Sequence, residues 1–165
     1  MIGLFGGTFD PVHLGHLHAA ISVCDALGLH RIHLLLAARP GHRDAPVASV
    51  EHRWRMLQLA CAADARLVPD DREIRRARRL ARPSWTVETL EEIRGELPDE
   101  PLVWVIGSDA YRGLLTWHRW EDVLRLTHLV VLRRPGAPLD LPGPLAALTG
   151  ERRVRVLPKV PAGTV

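Results

Sequence analysis

Cysteine is scarce in this chain of 165 residues, and the two present, Cys24 and Cys61, stand far apart among helix-patterned apolar residues. That excludes a disulfide framework and fits buried free thiols in a reducing cytoplasm. The nine histidines do not complete a zinc site, because no ligand spacing joins them to the cysteines. Long apolar runs are missing as well: residues 102–106 and 129–132 are strand-length, far short of the roughly 20 residues that cross a bilayer. The first residues carry no cationic segment, so a cleaved secretory leader is not expected. Lysine is nearly absent, but arginine replaces it along the whole chain, so the bias says little about function. Neither sign of charge dominates, with 22 basic against 19 acidic residues and a net +3.

What is present describes an ordinary globular domain. Hydrophobic residues make up 47% and charged residues 25%, which argues against disorder and against a fibre. The length suits a single domain over residues 1–165. Residues 2–5 read as a strand, followed by the turn Gly6-Gly7-Thr8-Phe9-Asp10-Pro11. Helical spacing then begins near Gly15, places Leu17, Ala20, Ile21, Cys24 and Leu27 on one side, and stops at Gly28. A strand over 32–36 leads to a loop over 39–46, and Ser49 caps a helix carrying Val50, Trp54, Leu57 and Ala60. A short strand over 66–68 precedes an arginine-rich loop. Pro83 and Thr86 open a helix with Val87, Leu90, Ile93 and Leu97. Strands over 102–106, 128–132 and 154–157 follow, with a helix over 120–126, a turn-rich loop over 135–144 and a short helical stretch over 145–148. The strands are apolar on both faces and alternate with helices. That pattern specifies an α/β fold, a Rossmann-like doubly wound parallel sheet.

In such a sheet ligands collect beyond the C-terminal ends of the strands. The segments there are 6–16, 39–43, 107–109 and Arg133-Arg134, far apart in sequence but on one edge. The first is the strongest signal. Its glycines admit close approach, a helix start offers free amides to a phosphate, and His13 and His16 are spaced to share a helix side. Thr8 adds a hydroxyl. The turn lacks the Lys-Ser/Thr ending of a P-loop and the Gly-x-Gly-x-x-Gly of a dinucleotide fold. Asp10 before Pro11 reads as a turn residue bonding its own backbone. Trp54 and Trp104 read as core and Trp120 as packing, whereas Trp85 and Trp117 flank the binding edge. Arg72, Arg75, Arg76, Arg78, Arg79 and Arg82, within eleven residues, read mostly as a solvated surface run.

The stretch from Gly6 to Leu17, with Thr-Phe-Asp-Pro followed by His-x-Gly-His, resembles the opening motif of the bacterial nicotinate mononucleotide adenylyltransferases. Pro40-Gly41-His42-Arg43 is similar to that family's Pro-Pro-His-Lys/Arg loop. Asp71-Arg72-Glu73-Ile74-Arg75-Arg76 and Pro83-Ser84-Trp85-Thr86 resemble its middle segment; Gly107-Ser108-Asp109, Thr116-Trp117 and residues 128–136 resemble its later ones. The resemblance implies a nucleotidyltransferase-type sheet and transfer of adenylate from ATP to nicotinate mononucleotide, releasing pyrophosphate in NAD biosynthesis. It implies ATP contacts from Gly6, Gly7, Thr8, Phe9, His16, Gly107 and Asp109, with the chemistry carried by Thr8, His13, His16, His42 and Arg43. Thr86, Trp117 and Arg134 would hold the pyridine mononucleotide. Mg²⁺ is expected on the ATP phosphates, with no protein-built metal site, nucleic acid or membrane partner.

Two departures accompany the resemblance: a longer connection through Arg78–Arg82, and no counterpart within these 165 residues of the family's Ile-Ser-Ser-Thr-x-Ile-Arg segment and later helices. Nicotinamide mononucleotide, another phosphorylated acceptor such as phosphopantetheine, and a catalytically impaired nucleotide-binding form stand as alternatives. From another class, the arginine run leaves open a nucleotide sensor or an RNA-binding module.

Overall fold

Strands that are apolar on both faces need cover on both, and that requirement organises the fold. The computed structural model describes residues 1–38, 45–80, 82, 84–133, 147 and 154–157. Strands β1 (Ile2–Gly7), β2 (Arg31–Leu36), β3 (Leu67–Asp70), β4 (Leu102–Gly107), β5 (His128–Leu132) and β6 (Val154–Leu157) form one sheet in the order β3-β2-β1-β4-β5-β6. Each neighbouring pair is parallel. The helices are α1 (Leu14–Leu27), α2 (Val50–Cys61), α3 (Arg72–Leu80), α4 (Thr86–Glu96), α5 (Ser108–Arg112) and α6 (Trp120–Leu126). β4 shows the two-sided burial directly. Val103 and Val105 pack with Leu17, Ala20 and Val23 of α1 and Leu57 of α2, whereas Leu102, Trp104 and Ile106 pack with Val87, Leu90 and Ile93 of α4 and Val123 of α6.

Local signals place most boundaries. Gly28 stops α1 in a left-handed conformation at φ 63°. The Ser49 hydroxyl accepts the His52 amide at 3.3 Å, capping α2. β1 runs on through both glycines, and β3 sits slightly later than the expected 66–68, at Leu67–Asp70. Trp104 is buried, Trp54 and Trp120 pack against the core, and Cys24 and Cys61 are buried and unbridged. The 135–144 loop lies outside the described residues, as does 145–148 apart from the helical Ala147.

The arginine-rich stretch is not a loop. It is α3, and Arg72 and Arg76 are 7% and 5% exposed. Arg72 Nε donates to both Asp70 oxygens at 3.0 Å, and its Nη atoms reach Glu96 at 3.3 Å. Arg76 donates to Thr89 Oγ1 at 2.8 Å and pairs with Glu92. Arg75 pairs with Asp71 at 2.9 Å and Arg82 with Glu88 at 2.6 Å, so much of the run is spent on carboxylates. Only Ile74 and Ala77 supply apolar anchorage, which is why no apolar stripe announces the helix; charged contacts to α4 hold it.

Between these helices Glu73 is 8% exposed, and burial pushes its carboxyl up to about 7 against the hydrogen bond from Thr89 and the charge of Arg76. A folded-state value above the ordinary 4.5 means its stabilising neutral form is complete below pH 4.5 and lost as pH rises through about 7. Wild type should therefore lose up to about 3 kcal/mol across that window, whereas Glu73→Gln, which keeps an acceptor for Thr89, should not. Melting temperatures of both proteins at about pH 5 and about pH 8 check this; parallel curves refute it.

Candidate active site

Register decides which loops share an edge. Gly7 is level with Leu36, and Gly107 with Leu132. Phe5 faces Val105, which by continuation puts Gly7 and Gly107 in the same row. Beyond that row emerge residues 8–16, Ala37 and Ala38, Ser108 and Asp109, and Arg133, at the point where strand order reverses between β1 and β4.

The turn after β1 is tightly built. A Cβ on Gly6 would lie 3.0 Å from the Trp104 indole, and one on Gly7 would lie 2.8 Å from the Phe9 ring. Phe9 has φ 46°, a left-handed conformation uncommon for a bulky residue. Its ring is 2% exposed and packs edge-on against His16, with centroids 5.1 Å apart. The Phe9 side chain belongs to the core, so a nucleotide would meet this residue through its backbone. His13 caps α1, and its ring lies 3.8 Å from that of His16. His16 Nδ1 accepts the His13 backbone amide at 3.3 Å, so in the neutral ring the proton sits on Nε2. No acidic residue occupies the first turn of α1, which leaves its amide end un-neutralised for an anion.

Asp10 does not bond its own turn. Its carboxylate accepts the Val47 amide at 2.6 Å and the Ala48 amide at 3.0 Å, thirty-seven and thirty-eight residues away. Sequence reasoning also missed Arg53, which is 1% exposed on α2 and pulled below its ordinary guanidinium value by burial, against the opposing charge of Asp10. It donates to the carbonyls of Ala48, Thr8, Ala37 and Ala38 at 3.2, 2.8, 2.9 and 3.2 Å. The available signal was a cation in the buried register of α2, one turn before Leu57.

At the other side of the row, Gly107 has open space where a Cβ would stand. Asp109 is exposed at the start of α5 and pairs with Arg112 at 3.3 Å. Thr86 begins α4, and neighbouring Trp85 lies 5.3 Å from the His118 ring, which brings Thr86 and Trp117 into one neighbourhood. His118 was not anticipated. His42, Arg43 and Arg134 lie outside the described residues. Among the described residues no three metal-ligating side chains cluster, and no helix is long and apolar enough to cross a membrane. Two small hollows, of about 280 and 170 Å³, sit at the opposite edge, where the strands begin. The larger is walled by Arg94, whose guanidinium already serves the carbonyls of Leu97, Pro98, Glu100 and Leu126, so it offers no rival site.

A parallel sheet with a glycine–histidine turn at its switch point is the arrangement expected of a nucleotidyltransferase, and the comparisons with known proteins agree. The cytidylyltransferase-like family model matches residues 4–161. The chain is 48% identical over 147 residues to the Aeromonas hydrophila subsp. hydrophila protein named "Probable nicotinate-nucleotide adenylyltransferase", covering 89% of this chain and 67% of that one. A Pseudomonas fluorescens protein of the same name is 46% identical, with coverages of 93% and 70%. Plasmodium falciparum nicotinic acid mononucleotide adenylyltransferase, solved with NaAD, shares the fold with a TM-score of 0.76 at 14% identity, over 95% of this chain and 74% of that one. The chain belongs to the nicotinate-nucleotide adenylyltransferase family, within the cytidylyltransferase-like proteins.

Proposed function

We propose that this chain joins ATP to nicotinate mononucleotide, giving nicotinate adenine dinucleotide and pyrophosphate in NAD biosynthesis. The observation that carries the reading is the level row of Gly7 and Gly107, which sets the phosphate turn beside the Asp109 segment across the switch point of a family-matched sheet. A phosphate oxygen of the mononucleotide attacks the α-phosphorus of ATP. The new O–P bond forms as the bond to the β-phosphate oxygen breaks, and pyrophosphate leaves with that electron pair. The attacking group is already ionised, so no strongly shifted base is needed; in-line placement and charge compensation do the catalysis.

In this scheme Gly6, Gly7, Thr8, the Phe9 backbone, His13 and His16 hold the ATP phosphates, and His16 Nε2–H lies nearest the reacting phosphorus. Gly107 leaves room for the nucleoside and Asp109 accepts from its ribose. Thr86 and Trp117 take the pyridine, and the sequence motifs assign His42, Arg43 and Arg134 to phosphate. The donor set suits a magnesium ion carried by the nucleotide: the turn offers imidazole, hydroxyl and amides, while the Asp10 carboxylate is engaged by two amides. That ion would neutralise phosphate charge.

Pyrophosphate release from ATP with the acid or the amide mononucleotide tests the function. Stoichiometric release with the acid form, at a kcat/KM at least about 10-fold above the amide, is expected, since 1.4 kcal/mol of discrimination gives tenfold. In the same assay Trp117→Ala should raise KM for the mononucleotide more than for ATP. Release only with the amide form, or equal KM shifts, would overturn the respective assignments.

A further inference from the structure

Arg53 carries a permanent charge into a site that does not need it for packing. Leu57 and Cys61 already give α2 a buried apolar seam, and an apolar side chain in place of a buried cation and its partners is often no less stable. An apolar residue cannot, however, fix a backbone. The Arg53 fork binds three separate stretches at once: the turn after β1 through Thr8, the exit of β2 through Ala37 and Ala38, and the approach to α2 through Ala48. In a trans peptide the carbonyl and the following amide point opposite ways, so turning the Thr8 carbonyl toward Arg53 turns the Phe9 amide away from it. Phe9 itself is held left-handed at φ 46°, which persists only where surroundings over-determine it. They do so here through Arg53 on Thr8, the buried Phe9 ring, and the Asp10 carboxylate on the amides of Val47 and Ala48.

We propose that Arg53 is a positioning residue for nucleotide-phosphate binding: without touching substrate, it fixes the turn at residues 8–10 against the β2 exit, so that the turn's donors meet the ATP phosphates already arranged. The inference rests on the phosphate role given to this turn under Proposed function. Preset donors need no reorganisation in the transition state, and displacement of about 1 Å by a remote change costs about 10²-fold.

The test compares Arg53→Met, Arg53→Lys and Leu57→Ala in the full chain, reading kcat, both KM values, the Kd for ATP by calorimetry, and Tm. Arg53→Met should lower kcat by about 10–100-fold and weaken ATP binding about 10-fold, leaving KM for nicotinate mononucleotide within about 2-fold. Arg53→Lys keeps a buried cation with fewer donors; it should fall between wild type and Arg53→Met, and it carries the test if the methionine variant does not fold. Leu57→Ala removes a fully buried side chain from the same helix. Assayed well below its Tm, it should lose thermal stability while keeping its kinetic constants within about 3-fold, because its cost is a cavity. Unaltered ATP affinity in Arg53→Met, equal kinetic losses in Leu57→Ala, or an Arg53→Lys protein that does not fold would each overturn the proposal. A wild-type chain that binds ATP yet releases no pyrophosphate with either mononucleotide would remove the functional reading instead, and the ATP affinities would still judge Arg53.

Discussion

Replacing His16 with alanine is expected to lower kcat by roughly 10²-fold or more, the scale of losing one donor to developing charge. In the proposed scheme one imidazole would count for so much because of how it is held. Its Nδ1 accepts the His13 amide, which in the neutral ring puts the proton on Nε2, and its ring stands edge-on to the buried Phe9. In the proposed reaction charge shifts toward the α–β bridging oxygen of ATP, which leaves with pyrophosphate, only as its bond to the α-phosphorus breaks, so this donor would matter most in the transition state. The loss should therefore fall on kcat and kcat/KM together, with KM for ATP moving far less. Steady-state pyrophosphate release measures both, and a variant with near-normal turnover would remove His16 from the chemistry.

The second large effect concerns stability. Asp70 is 7% exposed and binds the His33 ring, the Arg72 amide and the Arg72 guanidinium, each at 3.0 Å. Burial would raise its carboxyl, but these three partners together hold it down at about 2, below the ordinary 3.8. A depressed carboxyl stabilises the fold above its ordinary value and loses that contribution as pH falls from 3.8 through about 2; the shift corresponds to about 2 kcal/mol. Asp70→Ala should cost more than this at neutral pH, about 3–5 kcal/mol, because it also strands the buried Arg72 cation. Glu96 still reaches Arg72 but is half-exposed, which favours the lower end of that range. A Tm decrease of roughly 10 °C by calorimetry is expected for a domain of this size. A decrease below about 3 °C would mean that Arg72 finds full compensation elsewhere.

How far the amino-acid order could be read depended on the range of the interactions. The strands over 128–132 and 154–157 and the helix over 120–126 fall at their expected bounds, because apolar runs and helical spacing are local properties. The turn from Gly6 to His16 was legible as the entry to a helix, and as a candidate phosphate site, from its glycine, threonine and histidine chemistry alone. α3 was not, since a helix whose buried residues include Arg72, Glu73 and Arg76 shows its logic only beside the α4 carboxylates and Thr89. The same holds for Asp10, whose carboxylate closes on amides beyond the next strand, and for Arg53, whose acceptors come from three stretches of chain. Phe9 shows the same limit, since its place in a motif says nothing of the left-handed backbone that accompanies its buried ring.

The central pairing of β1 with β4 has a consequence for assembly. Ile2 meets Leu102, so this contact closes a loop of a hundred residues, at an entropic cost of about 4 kcal/mol by the logarithmic scaling of flexible loops. The three strands on the β1 side involve much shorter closures and are available earlier as the chain emerges from the ribosome. The late event in folding is thus the docking of the second half against β1, and the row containing Gly7 and Gly107 comes into being with it. A nascent chain that has not yet delivered β4 holds the histidine turn but has nothing opposite it, so in the proposed scheme the two substrates can be gripped together only once β4 has docked.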